Sequence, residues 1–145
     1  MYKKIILAYD GSYEGQRDLL ECKEIDQWFS AEIKLLGVMP YLYASMPTDK
    51  AIPLPNYEIE LDFERKKSIL NQGVRKLTTL GFNATGDVLI GNVALEIANY
   101  SLKYRTDLIV LGHQQHKDSL QRWDNNNIKT ILELSHCNIL IVISK

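Results

Sequence analysis

Residues 93–112 read VALEIANYSLKYRTDLIVLG, a helix pattern followed at once by a strand pattern. Residues 93–104 repeat their apolar side chains at helical spacing, with polar residues between them. Residues 107–111 form a short apolar run that Gly112 ends. A strand without polar alternation needs cover on both faces, which is typical of a parallel sheet between two helical layers.

The same alternation of short apolar runs and longer helical patterns continues along the chain. Strands are predicted at residues 4–9, 32–39, 84–90, 107–111 and 138–143. Helices are predicted over residues 13–29, 58–80 and 93–104, and near 126–136. Because crossovers between parallel strands are right-handed, this order predicts an α/β fold: a doubly wound, Rossmann-like sheet of five parallel strands with helices on both faces. We take the strand order to be 3-2-1-4-5.

Composition limits the kind of protein and its partners. The 145 residues suit one domain over residues 1–145. The formal net charge is −1 and the pI about 6.3, so there is no global field for nucleic acid or an anionic membrane. No apolar run approaches the ~20 residues of a membrane span, and MYKKIILAYD reads as a first strand and not as a signal peptide. We expect a cytoplasmic protein in which Cys22 and Cys137 are free thiols.

The predicted topology also places a ligand crevice. In doubly wound sheets ligands bind beyond the carboxyl ends of the strands, where the winding reverses. In the assumed order that point lies between strands one and four. It is flanked by the turn Asp10-Gly11-Ser12 and by residues 112–127. Each segment leads into a helix N-terminus, which favours phosphate. Yet residues 112–127 contain a single glycine and neither GxxxxGK[ST] nor GxGxxG.

Three segments carry a resemblance over essentially the whole chain. They are KKIILAYDGS, GNVALEIANYSLKYRTDLIVLG and SHCNILIVI. Together they resemble the universal stress proteins of the adenine nucleotide α-hydrolase-like superfamily. The resemblance implies a Rossmann-like fold and a homodimer formed through the fifth strand. It implies either ATP binding or its absence, because the family contains both kinds of member.

The ATP-binding members resemble the pattern G-x-x-G, nine residues, then G-[ST], after strand four. On this chain the four positions fall on Gly112, Gln115, Asn125 and Asn126, so three of them depart from the pattern. Asn125 tolerates a glycine-like turn and Asn126 retains an amide donor, whereas the Gln115 side chain would occupy space that a phosphate needs.

Two further positions match residues that lie near the nucleotide in binders. Asp10 matches the acidic residue, and Val38 matches the position whose backbone contacts adenine. Both also occur in members that do not bind. With Gly11 and Ser12 of the first turn, they complete the candidate site for ATP or AMP.

Plainer roles for the same residues stay open. Asp10 can simply brace the first turn, and Asp124, Asn125 or Asn126 can be a helix N-cap. Ser12 has no His/Asp partner that the sequence places beside it, so no catalytic residue is predicted. His113 and His116 lack patterned further ligands, so no metal is predicted.

The leading hypothesis is a cytoplasmic, dimeric stress-response protein that acts through protein interaction, without tight ATP binding and without catalytic turnover. Residues 40–57 hold all four prolines and predict a long loop. That loop is either a packed surface feature, a lid or a surface for a protein partner. The rival hypothesis is an adenine-nucleotide sensor. A third, weak nucleotide hydrolysis, has no base, nucleophile or metal to support it.

Overall fold

The computed structural model of the chain describes residues 1–40, 56–114 and 125–144. Five strands form one parallel sheet in the order β3-β2-β1-β4-β5. Their bounds are β1 Lys4–Tyr9, β2 Glu32–Pro40, β3 Asn83–Gly91, β4 Leu108–Gln114 and β5 Asn138–Ser144. The predicted α/β class, the parallel pairing and the order 3-2-1-4-5 are confirmed.

Helices cover both faces of this sheet. They are α1 Tyr13–Leu20, α2 Asn56–Thr79, α3 Val93–Tyr104 and α4 Asn125–Leu134. Helices α1 and α2 share one face, and α3 and α4 share the other. The two layers create two separate hydrophobic cores, one on each side of the sheet.

Strand β1 is the centre of the molecule and contributes to both cores. Ile5 and Leu7 point into the core beneath α1 and α2, whereas Ile6 and Ala8 point into the core beneath α3 and α4. All four are 0% exposed. Because successive strand residues face opposite sides, only a run that is apolar throughout satisfies both cores, and this explains the pattern KIILAY.

The predicted single helix over residues 13–29 is wrong in one detail. Helix α1 ends at Leu20, and a 3₁₀ helix follows over Lys23–Trp28. Between them Cys22 has an extended backbone, with φ −66° and ψ 142°. The buried residues of the second piece, Ile25 and Trp28, are three apart, which matches the three-residue turn of a 3₁₀ helix. Apolar spacing alone did not separate the two helix types.

Helical apolar spacing predicts that Leu80, Leu102 and Leu132 face the core, but the structure exposes all three. Leu102 is 58% exposed and Leu132 is 52% exposed, while Ser101 is buried. On α3 the inward face therefore consists of positions 93, 94, 97, 98 and 101. Leu80 lies beyond the end of α2, and Phe29 is half exposed but stacks on Phe82 with 4.0 Å between ring centroids. The spacing of apolar residues therefore did not predict exactly which residues of each helix face the core.

The carboxylate of Asp107 joins the starts of the two central strands. Its Oδ2 accepts hydrogen bonds from the backbone N–H groups of Lys3 and Lys4, at 2.8 Å and 2.9 Å. These two hydrogen bonds lower the pKa of Asp107 below its ordinary value. The ionised carboxylate thus fixes the chain before β1 beside the chain before β4.

We predict that Asp107→Asn reduces the loss of folding stability between pH 7 and pH 3. The folded pKa is lower than the unfolded one, so the carboxylate stabilises the fold above the unfolded pKa of about 3.9 and loses this effect as the pH falls through the folded pKa. Urea midpoints measured at pH 7 and pH 3 should therefore differ less in the variant than in the wild type. Asp26→Asn, at an exposed position of the 3₁₀ helix, is the control and should leave the difference unchanged.

Candidate functional site

The winding of the sheet reverses between β1 and β4. Helices α1 and α2 follow β1 and β2 on one face, whereas α3 and α4 flank β4 on the other. The carboxyl ends of β1 and β4 are therefore the place where a doubly wound sheet opens a crevice. The turn after β1 and the end of β4 lie at this place, whereas residues 115–124 of the predicted loop lie outside the described residues.

The turn after β1 is held by its own side chains. Oδ1 of Asp10 accepts hydrogen bonds from the backbone N–H of Ser12 at 2.9 Å and from the Ser12 hydroxyl. The Ser12 hydroxyl oxygen in turn accepts the N–H of Gly15 at 3.0 Å, so Ser12 is the N-cap of α1. Asp10 therefore braces the turn, and Ser12 is used as a cap with no histidine in its hydrogen bonds.

Close backbone packing explains the glycines of this turn. Gly11 has φ +88°, a left-handed conformation that favours glycine. A Cβ atom added at Gly37 on β2 would lie 3.4 Å from Cα of Gly11. The neighbouring Val38 is 0% exposed and its side chain lies in the core beneath α3 and α4.

Lys66 on α2 lies beside this turn, although nothing in the sequence singled it out. Its residue is 6% exposed, and its side chain lies over the turn after β1. A Cβ atom added at Gly11 would be 2.8 Å from Cδ of Lys66 and 3.5 Å from its Cε. The ammonium nitrogen lies 3.8 Å from Oδ1 of Asp62, one helical turn earlier. In the sequence Lys66 reads as one of several charged residues on an amphipathic helix, and no motif marks it.

Below the turn, Gln16 connects β1, α1 and α2. Its buried amide nitrogen donates hydrogen bonds to the hydroxyl of Tyr9 and to the carbonyl of Ile69, both at 2.9 Å. Burial raises the pKa of Tyr9 well above its ordinary value, so this hydroxyl is neutral at physiological pH. A Cβ atom at Gly73 would lie 2.5 Å from the Gln16 amide, which keeps that helix position small. The sequence analysis also missed this polar connection.

The β4 side of the crevice differs from the predicted loop in its bounds. Strand β4 continues through Gln114 because it pairs with β5 as far as Ser144. Gly112 is thus a strand residue, and a Cβ atom there would lie 3.3 Å from Cγ of Leu19. The predicted site residue Gln115 lies outside the described residues.

Helix α4 begins earlier than predicted, at Asn125. Asn125 and Asn126 are therefore its first two residues and not a loop turn or an N-cap, and Asp124 lies outside the described residues. The carbonyl of Asn126 accepts a hydrogen bond from the Thr130 hydroxyl at 2.9 Å, and Asn126 itself is exposed. Both asparagines lie at the helix end that attracts anions.

Within the described ranges, no three His, Cys, Asp or Glu side chains gather as metal ligands would. No described helix combines the length and apolar character needed to cross a membrane.

We predict that Ser12→Ala lowers the free energy of unfolding by about 1 kcal/mol, the usual effect of losing a side-chain N-cap. Urea denaturation at pH 7 measures this loss. Asn92→Ala is the matched control, because Asn92 caps α3 through a 3.1 Å hydrogen bond from the Leu95 N–H. The two variants should be destabilised by similar amounts. A much larger loss in Ser12→Ala would contradict a role limited to capping and bracing.

Comparisons with known proteins identify the family. The model of the universal stress protein family matches residues 1–142. No protein with curated annotation matches the sequence. UspA from Lactobacillus plantarum is similar in structure, with a TM-score of 0.71 and 21% sequence identity over 97% of each chain.

Two similar structures are described as nucleotide complexes. A universal stress protein family protein from Arabidopsis thaliana with AMP bound has a TM-score of 0.65 and 15% identity, over 99% of this chain and 92% of that one. The Archaeoglobus fulgidus universal stress protein in complex with dAMP has a TM-score of 0.62 and 13% identity, over 97% of this chain and 98% of that one. At these identities the structural likeness establishes the fold. Together with the match over residues 1–142, it places this chain in the universal stress protein family.

Proposed function

We propose that this universal stress protein is a cytoplasmic, dimeric stress-response protein that acts through contacts with other proteins, without holding ATP tightly and without catalysing a reaction. The observation that carries the proposal is the replacement of three of the four positions of the ATP-binding pattern, at Gln115, Asn125 and Asn126.

The energetic consequence of these replacements is large. A phosphate loop gains affinity from close backbone approach and from charge-assisted hydrogen bonds of roughly 1.5–3 kcal/mol each. Losing two of them moves a micromolar Kd to about millimolar, because ~1.4 kcal/mol corresponds to tenfold. An ATP site of millimolar affinity would be a weak basis for sensing ATP specifically.

The state of the first turn supports the same conclusion. One oxygen of Asp10 already accepts two hydrogen bonds from Ser12, and the Gly15 N–H at the start of α1 is already capped. These groups are therefore satisfied within the protein and need no ligand. Among the described residues, the Ser12 hydroxyl bonds to Asp10 and to the Gly15 N–H and not to a histidine base, which argues against hydrolysis.

A second candidate is an adenine-nucleotide sensor, favoured by the relatives with AMP and dAMP bound. Asp10 and Val38 keep the matching residue types, Gly112 keeps the first glycine, and α4 begins at the expected side of the crevice. In this candidate Asp10, Gly11, Ser12, Val38, Gly112, Gln115, Asn125 and Asn126 line the site for ATP or AMP.

Calorimetry separates the two candidates. We expect nucleotide-stripped protein titrated with ATP and Mg²⁺ to bind only in the millimolar range, and Gln115→Gly to bind at least tenfold tighter, because the glycine restores backbone approach. Gln115→Ala is the comparison: it removes most of the side chain that would occupy the phosphate's space but keeps a Cβ atom and the conformational restriction, so it should tighten binding less than Gln115→Gly. A low-micromolar Kd for the wild type would contradict the leading proposal and favour the sensor.

The proposed dimer forms through β5, which is an edge strand of the described sheet. An apolar edge strand invites pairing with a second copy. Ile139 and Ile141 of this strand pack on one core, Leu140 and Val142 pack on the other, and Ile143 is 53% exposed. Only the last of these five can be made charged without disturbing a core.

We predict that Ile143→Lys converts the dimer to a monomer, because a lysine there would bring two like charges to the paired strands. Sedimentation equilibrium measures the mass. The matched control is Leu102→Lys, which places the same charge on an exposed leucine of α3. A mass that is unchanged in Ile143→Lys but halved in Leu102→Lys would locate the interface on the α3 face instead.

A further inference from the structure

The strongest unexplained feature of the crevice is the burial of Lys66. Lysine side chains usually bury the stem and keep the ammonium in water. Here the whole residue is 6% exposed, and the stem lies against the backbone of Gly11. Its ammonium has a carboxylate partner in Asp62 at 3.8 Å, and Arg65 lies at the same distance from that carboxylate.

The charges around the crevice indicate where each part of a nucleotide would lie. A phosphate is disfavoured beside Asp10, and the Gly15 N–H of α1 is already capped. The beginning of α4 is a helix N-terminus on the β4 side of the crevice, and it attracts anions. A nucleotide with its phosphates at α4 would place its nucleoside on the other side, toward the ends of β1 and β2.

That other side is where Gly11, Gly37 and Lys66 meet. Gly37 and Gly11 approach so closely that a Cβ atom on Gly37 would lie 3.4 Å from Cα of Gly11. Neither glycine carries a side chain that could cover this place. The Lys66 stem lies there instead: its Cδ would be 2.8 Å from a Cβ atom added at Gly11, so the protein's own side chain fills the space beside this glycine.

We propose that Lys66 is a built-in occupant of the nucleoside end of the crevice and that its bulk keeps adenine compounds out. The inference rests on the proposed function, because it supplies a second reason, independent of the phosphate side, for weak ATP binding. Lys66 is thereby a residue that determines ligand specificity in this chain.

The test is a gain of binding in Lys66→Ala, measured by calorimetry with adenosine, AMP and ATP. We expect each ligand to bind at least tenfold tighter than to the wild type, adenosine included, because the obstruction lies at the nucleoside end. Lys66→Met is the matched control: it keeps a stem of similar length without the charge and should bind as weakly as the wild type. Asp62 keeps Arg65 as a partner in both variants.

The ligand series separates this inference from the proposed function. If the wild type binds ATP weakly and Lys66→Ala binds the three ligands no more tightly, the inference is overturned and the proposed function stands. Low-micromolar ATP binding by the wild type would overturn both. A gain in Lys66→Met equal to that in Lys66→Ala would also overturn it, because charge and not bulk would be responsible. Lys66→Ser guards against misfolding of the alanine variant. If neither variant melts cooperatively, the side chain is a structural requirement and the inference is wrong.

Discussion

The complete enclosure of β1 is the constraint on which the rest of this structure depends. The strand pairs with β2 on one edge and β4 on the other, and its residues from Ile5 to Tyr9 are at most 1% exposed. Every backbone polar group of such a strand must be satisfied by its two neighbours, since water cannot reach it. Parallel neighbours on both edges require crossovers on both faces, and from this the reversal of winding between β1 and β4 follows.

The chain leaving β1 must therefore turn in a crowded place. Gly11 makes the turn with a positive φ, and Asp10 and Ser12 satisfy the polar groups around it. Beneath it, Gln16 ties the hydroxyl of Tyr9 to the backbone of α2. These hydrogen bonds hold the turn in one conformation. The same donors and acceptors are then already bonded within the protein and not to a ligand.

In the two proposals, both sides of the crevice weaken the binding of adenine nucleotides, but for different physical reasons. On the β4 side, the sequence replaces glycines that would let phosphate approach the backbone. On the β1 side, a lysine stem lies on the glycine that would let a purine approach. The described sheet keeps the order β3-β2-β1-β4-β5 all the same. The family fold can therefore persist while the ligand chemistry of its crevice diverges.

The sequence by itself determined the five strands and indicated the family, because buried parallel strands leave a continuous apolar signal and Gly112 and the turn Asp10-Gly11-Ser12 mark their ends. The order of the strands was an assumption that the tertiary structure confirmed, and the position proposed for the candidate site depends on that order. The sequence did not resolve the break at Cys22 or the exposure of Leu102, since a break in backbone geometry and a small helix rotation scarcely alter apolar spacing. Only the tertiary structure decided that Gln16 and Lys66 are buried at the crevice. Polar residues on amphipathic helices read as solvent-facing until the packing of α1 against α2 places them between elements far apart in the chain.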